Sequence, residues 1–280
     1  MDWNKYTYVR DNPVNYTDPS GKSICYDPLP SACQSALQAL HAEAANIKGA
    51  VQGGGLEPVE GFAQFADFSE TVFHAPAFKS DVRDLVWAMT LVINDFDANR
   101  GPIFLQVSNE AKSPYYIDQD WLPYQNNPLY NNYHWCDSQG HCGGGGQDYG
   151  VWRHSRRGDW KTDYWDKTAN QAYHFWFYAA VTFFDGRGWA VLGNLWHDHG
   201  PWDNNYLTQP ENVAPPVSGR SQQDYFLSFQ GMDLGTKLAE DERARKFWEG
   251  IYGNCDVTQL PFIHYQWTDP GNWIRTHLKQ

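Results

Sequence analysis

Six stretches of the chain read as α-helix. Residues 31–50 are rich in Ala, Leu, Gln and Glu with no Pro, opened by Ser31 as a cap and ended near Gly53, Gly54 and Gly55. Over 62–73 the residues Phe62, Phe65, Ala66 and Phe73 fall on one stripe. Over 77–96 Val82, Leu85, Val86, Met89 and Ile93 recur at three- and four-residue steps, and both patterns predict core helices. Helical character returns at 168–184, 188–196 and 221–238, interrupted by Asp185 and Gly186 and by a Pro-containing stretch over 201–216. Between the two groups, residues 99–165 carry Pro102, Pro114, Pro123, Pro128 and the glycines 143–146, with Tyr and Trp throughout. This is the pattern of a long irregular segment with a few short strands, and a loop of that length is expected to be functional or to cover a site. Residues 256–280 are expected to be irregular or partly extended. No repeat of fixed period is visible. The expected fold class is therefore mainly α: a multi-helix globular domain over 22–280 with a long aromatic-rich irregular insertion at 99–165.

The first residues follow another pattern. Residues 6–21 alternate aromatic or β-branched with polar residues and break at Asn12-Pro13 and again at Asp18-Pro19-Ser20-Gly21, which reads as a strand, a turn, a short second strand and a terminating turn. So short a strand pair cannot stand alone and is expected to belong to a larger sheet that this chain does not contain.

The run Tyr8-Val9, then Asp11-Asn12-Pro13-Val14-Asn15-Tyr16-Thr17-Asp18-Pro19-Ser20-Gly21, closely resembles the end of the core region of RHS/YD-repeat proteins. The resemblance covers about the first twenty residues and matches in order and spacing. It implies a β-shell of repeats around a variable C-terminal domain, commonly a toxin in bacterial competition, with residues 1–21 as the strand-turn remnant of the shell and an effector-like domain after it. It also implies as partners the parent repeat shell and an immunity protein, and a place outside the cell as part of a larger secreted or cell-surface protein. In the family, aspartates of paired Asp-Pro-x-Gly motifs support self-cleavage; Asp18 matches the later motif, and this chain has no earlier copy. By itself Asp18 reads as an ordinary turn residue. Because the C-terminal domains of the family vary, the resemblance assigns no activity to any residue after Gly21.

Composition narrows the partners. Hydrophobic residues make up 41% of the 280 and charged residues 19%, enough to bury a core and unlike a disordered tail. The formal charge of -12 disfavours a phosphate backbone as ligand, and no run approaches the roughly 20 apolar residues of a membrane-spanning helix. The N-terminus reads as lacking a secretory signal, so export would be carried by something else. Of the five cysteines, Cys25 with Cys33 and Cys136 with Cys142 form local pairs and Cys255 is left over. The Gly-containing turn between Cys136 and Cys142 would bring two extended ends within disulfide reach. Free thiols are the alternative, and zinc held with His134 and His141 is a third reading, although the spacing fits no standard zinc module.

The sharpest polar constellation opens the fourth helical stretch. Asp166, Asn170 and His174 are four apart and share a helix face with Gln171 beside them, set among Trp165, Phe175, Trp176 and Phe177. Such a file can orient an imidazole for acid/base work; the plainer reading is Asp166 as an N-cap with Asn170 and His174 hydrogen-bonded in a helix contact. The fifth stretch ends in His197-Asp198-His199, which suits the negative end of a helix dipole and, with Asp224 approaching, would also suit a metal or a base. Asp224, Ser228, Gly231 and Gly235 form a polar and small stripe that reads as a helix-packing face, with Asp224 alternatively part of a cap begun by Ser221. Asp118, Asp120, Asp159 and Asp163 in the aromatic segment would allow a sugar-stacking cleft with two acids, or simply a solvated acidic loop. Arg153, His154, Arg156 and Arg157 form the one dense basic cluster. No phosphate-binding loop, nucleophile elbow, zinc-protease motif or dinucleotide fingerprint occurs, so metal and cofactor stay unassigned.

Two functions from different classes are thus expected: a toxin-like effector domain, hydrolytic with an unassigned substrate and centred on His174 with Asp166, Asn170, Gln171, His197, Asp198 and Asp224, or a non-catalytic tip that binds a glycan or a partner. If residues 1–21 are an appendage, deleting them should leave the helical circular dichroism and the melting temperature nearly unchanged; collapse of the fold would make the two parts one unit.

Overall fold

The computed structural model describes residues 25, 30–75, 77–94, 98, 102–103, 135–136, 142–143, 158–165, 171–197, 222–253 and 256–280. The strand-turn segment 1–21, most of 99–165 and the residues Asp166, Asn170 and Asp198 lie outside them. What is described is mainly α-helical: α1 (Ser31–Gln52), α2 (Pro58–Phe73), α3 (Val82–Asn94), α4 (Gln171–Phe184), α5 (Arg187–His197), α6 (Gln222–Tyr252) and α7 (Pro270–Leu278). Single 3-10 turns stand at Thr162–Tyr164 and Val257–Gln259. A two-residue antiparallel ladder sets Cys136 opposite Cys142, the approach the turn between them was expected to make. No described helix is long and apolar enough to cross a membrane.

The stripes read from the sequence face inward: Phe62, Phe65, Ala66 and Phe73 on α2, and Val82, Leu85, Val86, Met89 and Ile93 on α3, are all buried. Boundaries differ where local chemistry overrides the pattern. Ser31 is the first helical residue of α1 and not its cap, which is Pro30, with no side-chain hydrogen bond. The third helix begins at Val82 and not at residue 77, because Lys79 and Ser80 take left-handed backbone angles (φ 52 and 55) that no helix continues through. The carboxylate of Asp81 then accepts from the Asp84 amide at 3.0 Å and caps the start. α6 runs on past Leu238 to Tyr252, since the charged stretch beyond is made of good helix formers and its charges pair along the helix, Arg245 with Glu242 and Glu249. The C-terminal region, expected to be irregular, contains α7: Asp269 accepts from the Asn272 amide at 2.7 Å, Pro270 occupies the first turn, and Arg275 and His277 sit in the last.

α6 is the spine. α4 runs parallel to it, so that His174 meets Ser228, Phe175 meets Gly231 and Ala179 meets Gly235. A β-carbon on Gly231 would collide with the Phe175 carbonyl oxygen, and one on Gly235 with that of Ala179, so the packing face expected of this stripe exists because both positions lack side chains. α3 closes over α4 through the Trp176 indole, which donates to Thr90 Oγ1 at 3.2 Å, and through Asn94, which donates to the Tyr173 carbonyl at 2.9 Å. α2 sets Phe62 edge-on to both Phe175 and Trp176. α7 lies along α2, its Arg275 bound to Glu60 and Asp67. A Cys25–Cys33 disulfide ties the chain before α1 to that helix, and the Cys25 amide donates to Asp84 at 3.2 Å.

Gly231→Val should cost about 2–3 kcal/mol in urea unfolding, because the added atoms meet backbone and not a movable side chain. Gly250→Ala, at a helical position with open space around it, should leave stability equal or raise it by about 1 kcal/mol.

Candidate functional site

At one end of the spine four helix ends meet: α4 and α6 begin there, and α3 and α5 finish there. Asn94, the last residue of α3, is bonded to Tyr173 of α4, and Asn194 of α5 donates to the Tyr225 carbonyl of α6 at 3.2 Å. The antiparallel directions offset one another's dipoles, so this end carries no net anion-binding field. His174 lies here at 7% exposure, with Gln171, the first residue of α4, at 2%.

The imidazole Nε2 of His174 is 2.8 Å from Ser228 Oγ and 3.1 Å from the carbonyl oxygen of Asp224, and Ser228 itself reaches that carbonyl at 2.8 Å. Two proton arrangements are open here, and only the first satisfies all three contacts. With Ser228 donating to Asp224, Nε2 carries a proton and donates to both oxygens; with the hydroxyl rotated, Ser228 donates to an unprotonated Nε2. The second arrangement polarises the hydroxyl toward an imidazole base, the geometry from which a hydroxyl is activated. The Tyr178 ring, tilted 57° and 5.0 Å away between centroids, holds the imidazole from its other side.

Of the residues singled out in the sequence, His174 and Asp224 are brought together, but through the Asp224 backbone carbonyl, while the carboxylate is buried in the first turn of α6. Ser228, read only as a packing residue, is the direct side-chain partner of His174. His197 is the last residue of α5, a turn beyond Asn194, so its backbone reaches the same end of the bundle. Asp166, Asn170 and Asp198 lie outside the described residues, as do Asp118, Asp120, His134, His141 and the basic cluster 153–157. Asp159, a candidate acid for a sugar cleft, serves a structural end instead: its carboxylate accepts from the Val59 and Glu60 amides at 2.8 and 3.2 Å and caps α2 across 100 residues of sequence. Asp163 is exposed in its 3-10 turn.

A second polar centre lies further along α6 and was not anticipated. Arg245, buried, donates to Glu242 through Nε at 2.8 Å, to Asp81 through Nη2 at 3.0 Å and to Glu249 through Nη1 at 2.6 Å. Burial opposes the guanidinium charge, yet Glu242 and Asp81 outweigh it and raise the affinity of Arg245 for its proton. Burial, with Glu242 beside it, pushes the proton affinity of Asp81 up against the pull of Arg245. Next to this network is a cavity of about 30 Å³ whose walls include Glu70, Asp81, Asp241, Thr258 and Trp267. Burial and the neighbouring Asp269, Asp67 and Asp241 push Glu70 up to about 7. Only the Glu242–Arg245 and Arg245–Glu249 spacings hinted at this centre; Asp81 and Glu70 come from elsewhere in the chain. Among the described residues no group of His, Cys, Asp and Glu is disposed to hold a metal ion.

No family model, curated protein or solved structure matches this chain.

Ser228→Ala should lower stability by about 1 kcal/mol, since Nε2 keeps the Asp224 carbonyl. Ser228→Val, which adds volume at a tight helix contact and offers no oxygen, should cost more, about 2 kcal/mol, in the same thermal unfolding measurement.

Proposed function

We propose that this chain ends an RHS-type repeat core and carries the C-terminal effector domain that follows it, a toxin-like hydrolase whose base is His174. The observation that carries the chemistry is the 2.8 Å pair of His174 Nε2 and Ser228 Oγ at the meeting point of four helix ends. In this reading His174 takes a proton from a hydroxyl or water, with Gln171 beside it on the first turn of α4. Residues 8–21 support the context through their match to the family's core end. The Cys25–Cys33 disulfide suits a chain exported as part of its parent protein. The net charge of -12 argues for a substrate other than nucleic acid.

A specific observation favours a second reading, a glycan- or partner-binding tip. Phe247, Ile251, Tyr252 and Phe262 are all exposed around the end of α6, with Tyr252 stacked on Trp248 and edge-on to Phe262.

Expression in a bacterial cytoplasm, and separately with export to the periplasm, distinguishes the two. Growth arrest by the wild type, lost in His174→Ala while the circular dichroism stays helical, is the expected result. A His174→Ala variant that folds and still arrests growth removes the catalytic role. Wild-type protein that folds and is harmless in both compartments leaves the binding tip as the better reading.

A further inference from the structure

The chain leaves the end of α6 and returns to α7 along residues 256–269, a half-exposed strap laid over the cavity between α2 and α6. Apart from its own 3-10 turn, the strap is attached to the body by side-chain bonds at its two ends. At the near end Ser80 donates to Asp256 at 2.8 Å and Thr258 donates to Ser80 at 3.0 Å. At the far end both bonds go to one carboxylate: Tyr265 Oη and the Thr268 amide donate to Asp241 at 3.0 and 2.8 Å. Thr258, Trp267 and Thr268 form its side of the cavity, and Glu70 and Asp241 stand in the opposite wall.

We propose that residues 256–269 are a pH-responsive latch: the carboxylates of Glu70 and Asp241 face the strap across one cavity, and negative charge gained there loosens its attachment to α6 and opens the cavity. Carboxylates from three elements stand near Glu70. Asp67 lies one turn back on α2, Asp241 on α6, and Asp269 at the junction of the strap with α7, where it is committed as the helix cap. Asp81, on the turn before α3, lines the same cavity. Two of these acids are already paired: Arg275 binds Asp67 together with Glu60, and Arg245 binds Asp81 together with Glu242 and Glu249. His74 Nε2 lies 3.9 Å from Glu70, one turn on along α2.

Glu70 binds its proton more tightly in the closed form than in the unfolded chain, so the stability it contributes is complete below its ordinary value of 4.5 and is lost as the pH rises through about 7. Asp81 lines the same cavity while bound to Arg245, and the Ser80 that holds Asp256 is its neighbour in sequence. Ionisation of Glu70 places a third negative charge beside Asp241 and Asp269, and the strap is the element that can move away, because α2 and α6 are fixed by the core. Asp241 itself is raised, burial outweighing the bonds from Thr268 and Tyr265.

The test is hydrogen exchange of the full chain at pH 5.5 and 8.5, corrected for the intrinsic rate. Protection of residues 256–269 should fall about tenfold at the higher pH while α4 keeps its protection. Glu70→Gln should abolish most of that difference, and Asp269→Asn, which retains a capping oxygen, should reduce it. Equal protection of the strap at both pH values, loss shared by α4, or an undiminished difference in Glu70→Gln would each overturn the latch. The wild-type comparison decides the matter even if a variant fails to fold.

Discussion

The backbones of α4 and α6 touch, and most of the domain follows from that contact. Two parallel helices reach this separation only where one of them has no side chains to interpose, and α6 supplies Gly231 and Gly235 one turn apart, with Ser228 a turn before. With the register fixed by Phe175 against Gly231 and Ala179 against Gly235, His174 has one place to go, above Ser228. The same contact leaves the large residues of α4, Phe175 and Trp176, to point toward α2 and α3, where Phe62 and Thr90 receive them. A polar file and an aromatic core therefore share a single helix, sorted to different faces by where its neighbour has room.

α6 solves three different burial problems along its length. Near its start the buried polar atoms satisfy one another through His174, Ser228 and the Asp224 carbonyl; in the middle there is little to satisfy; beyond Leu238 it buries charge. The last is the most expensive. A buried ion pair can cost as much in desolvation as it gains, and Arg245 is tolerated because Glu242, Asp81 and Glu249 use most of its donors. Burial, and then the neighbouring carboxylates, raise the proton affinities of Asp81 in this cluster and of Glu70 across the cavity. Removing Arg245 would leave several carboxylates facing one another; ionisation of Glu70 is a milder form of the same imbalance.

Much of this was legible from local pattern and much was not, and the division is physical. The stripes of α2 and α3 and the Ser228, Gly231, Gly235 face could be read because helical periodicity is a property of neighbouring residues. α7 was overlooked although Asp269, Pro270 and Arg275 spell a cap, a first turn and a last turn; the segment is short, and its apolar positions are too few to outweigh its polar ones. The extension of α6 was missed for a related reason, since its buried face there is ionic and carries no apolar stripe. At the candidate site, His174 and Asp224 stood out as titratable groups on predicted helices, but the atoms that meet are an imidazole, a hydroxyl and a main-chain carbonyl. Sequence does not mark a carbonyl. The Asp159 cap on α2 and the Asp81–Arg245 pair join residues far apart in the chain, and only the tertiary fold could reveal them.

The two polar centres also stand apart in space. Asp224 and Asp241 are separated along α6 by roughly 25 Å at ~1.5 Å per residue, with the glycine contact between them. A helix clamped at its middle by backbone contact transmits little bending from one end to the other, and among the described residues the buried face of α6 between them is occupied by Gly231, Met232, Leu234, Gly235 and Leu238. Loosening of the strap at one end would therefore leave the His174–Ser228 contact at the other in place. An activity centred on His174 that changed with Glu70→Gln would therefore mean that the substrate itself spans both ends of the helix.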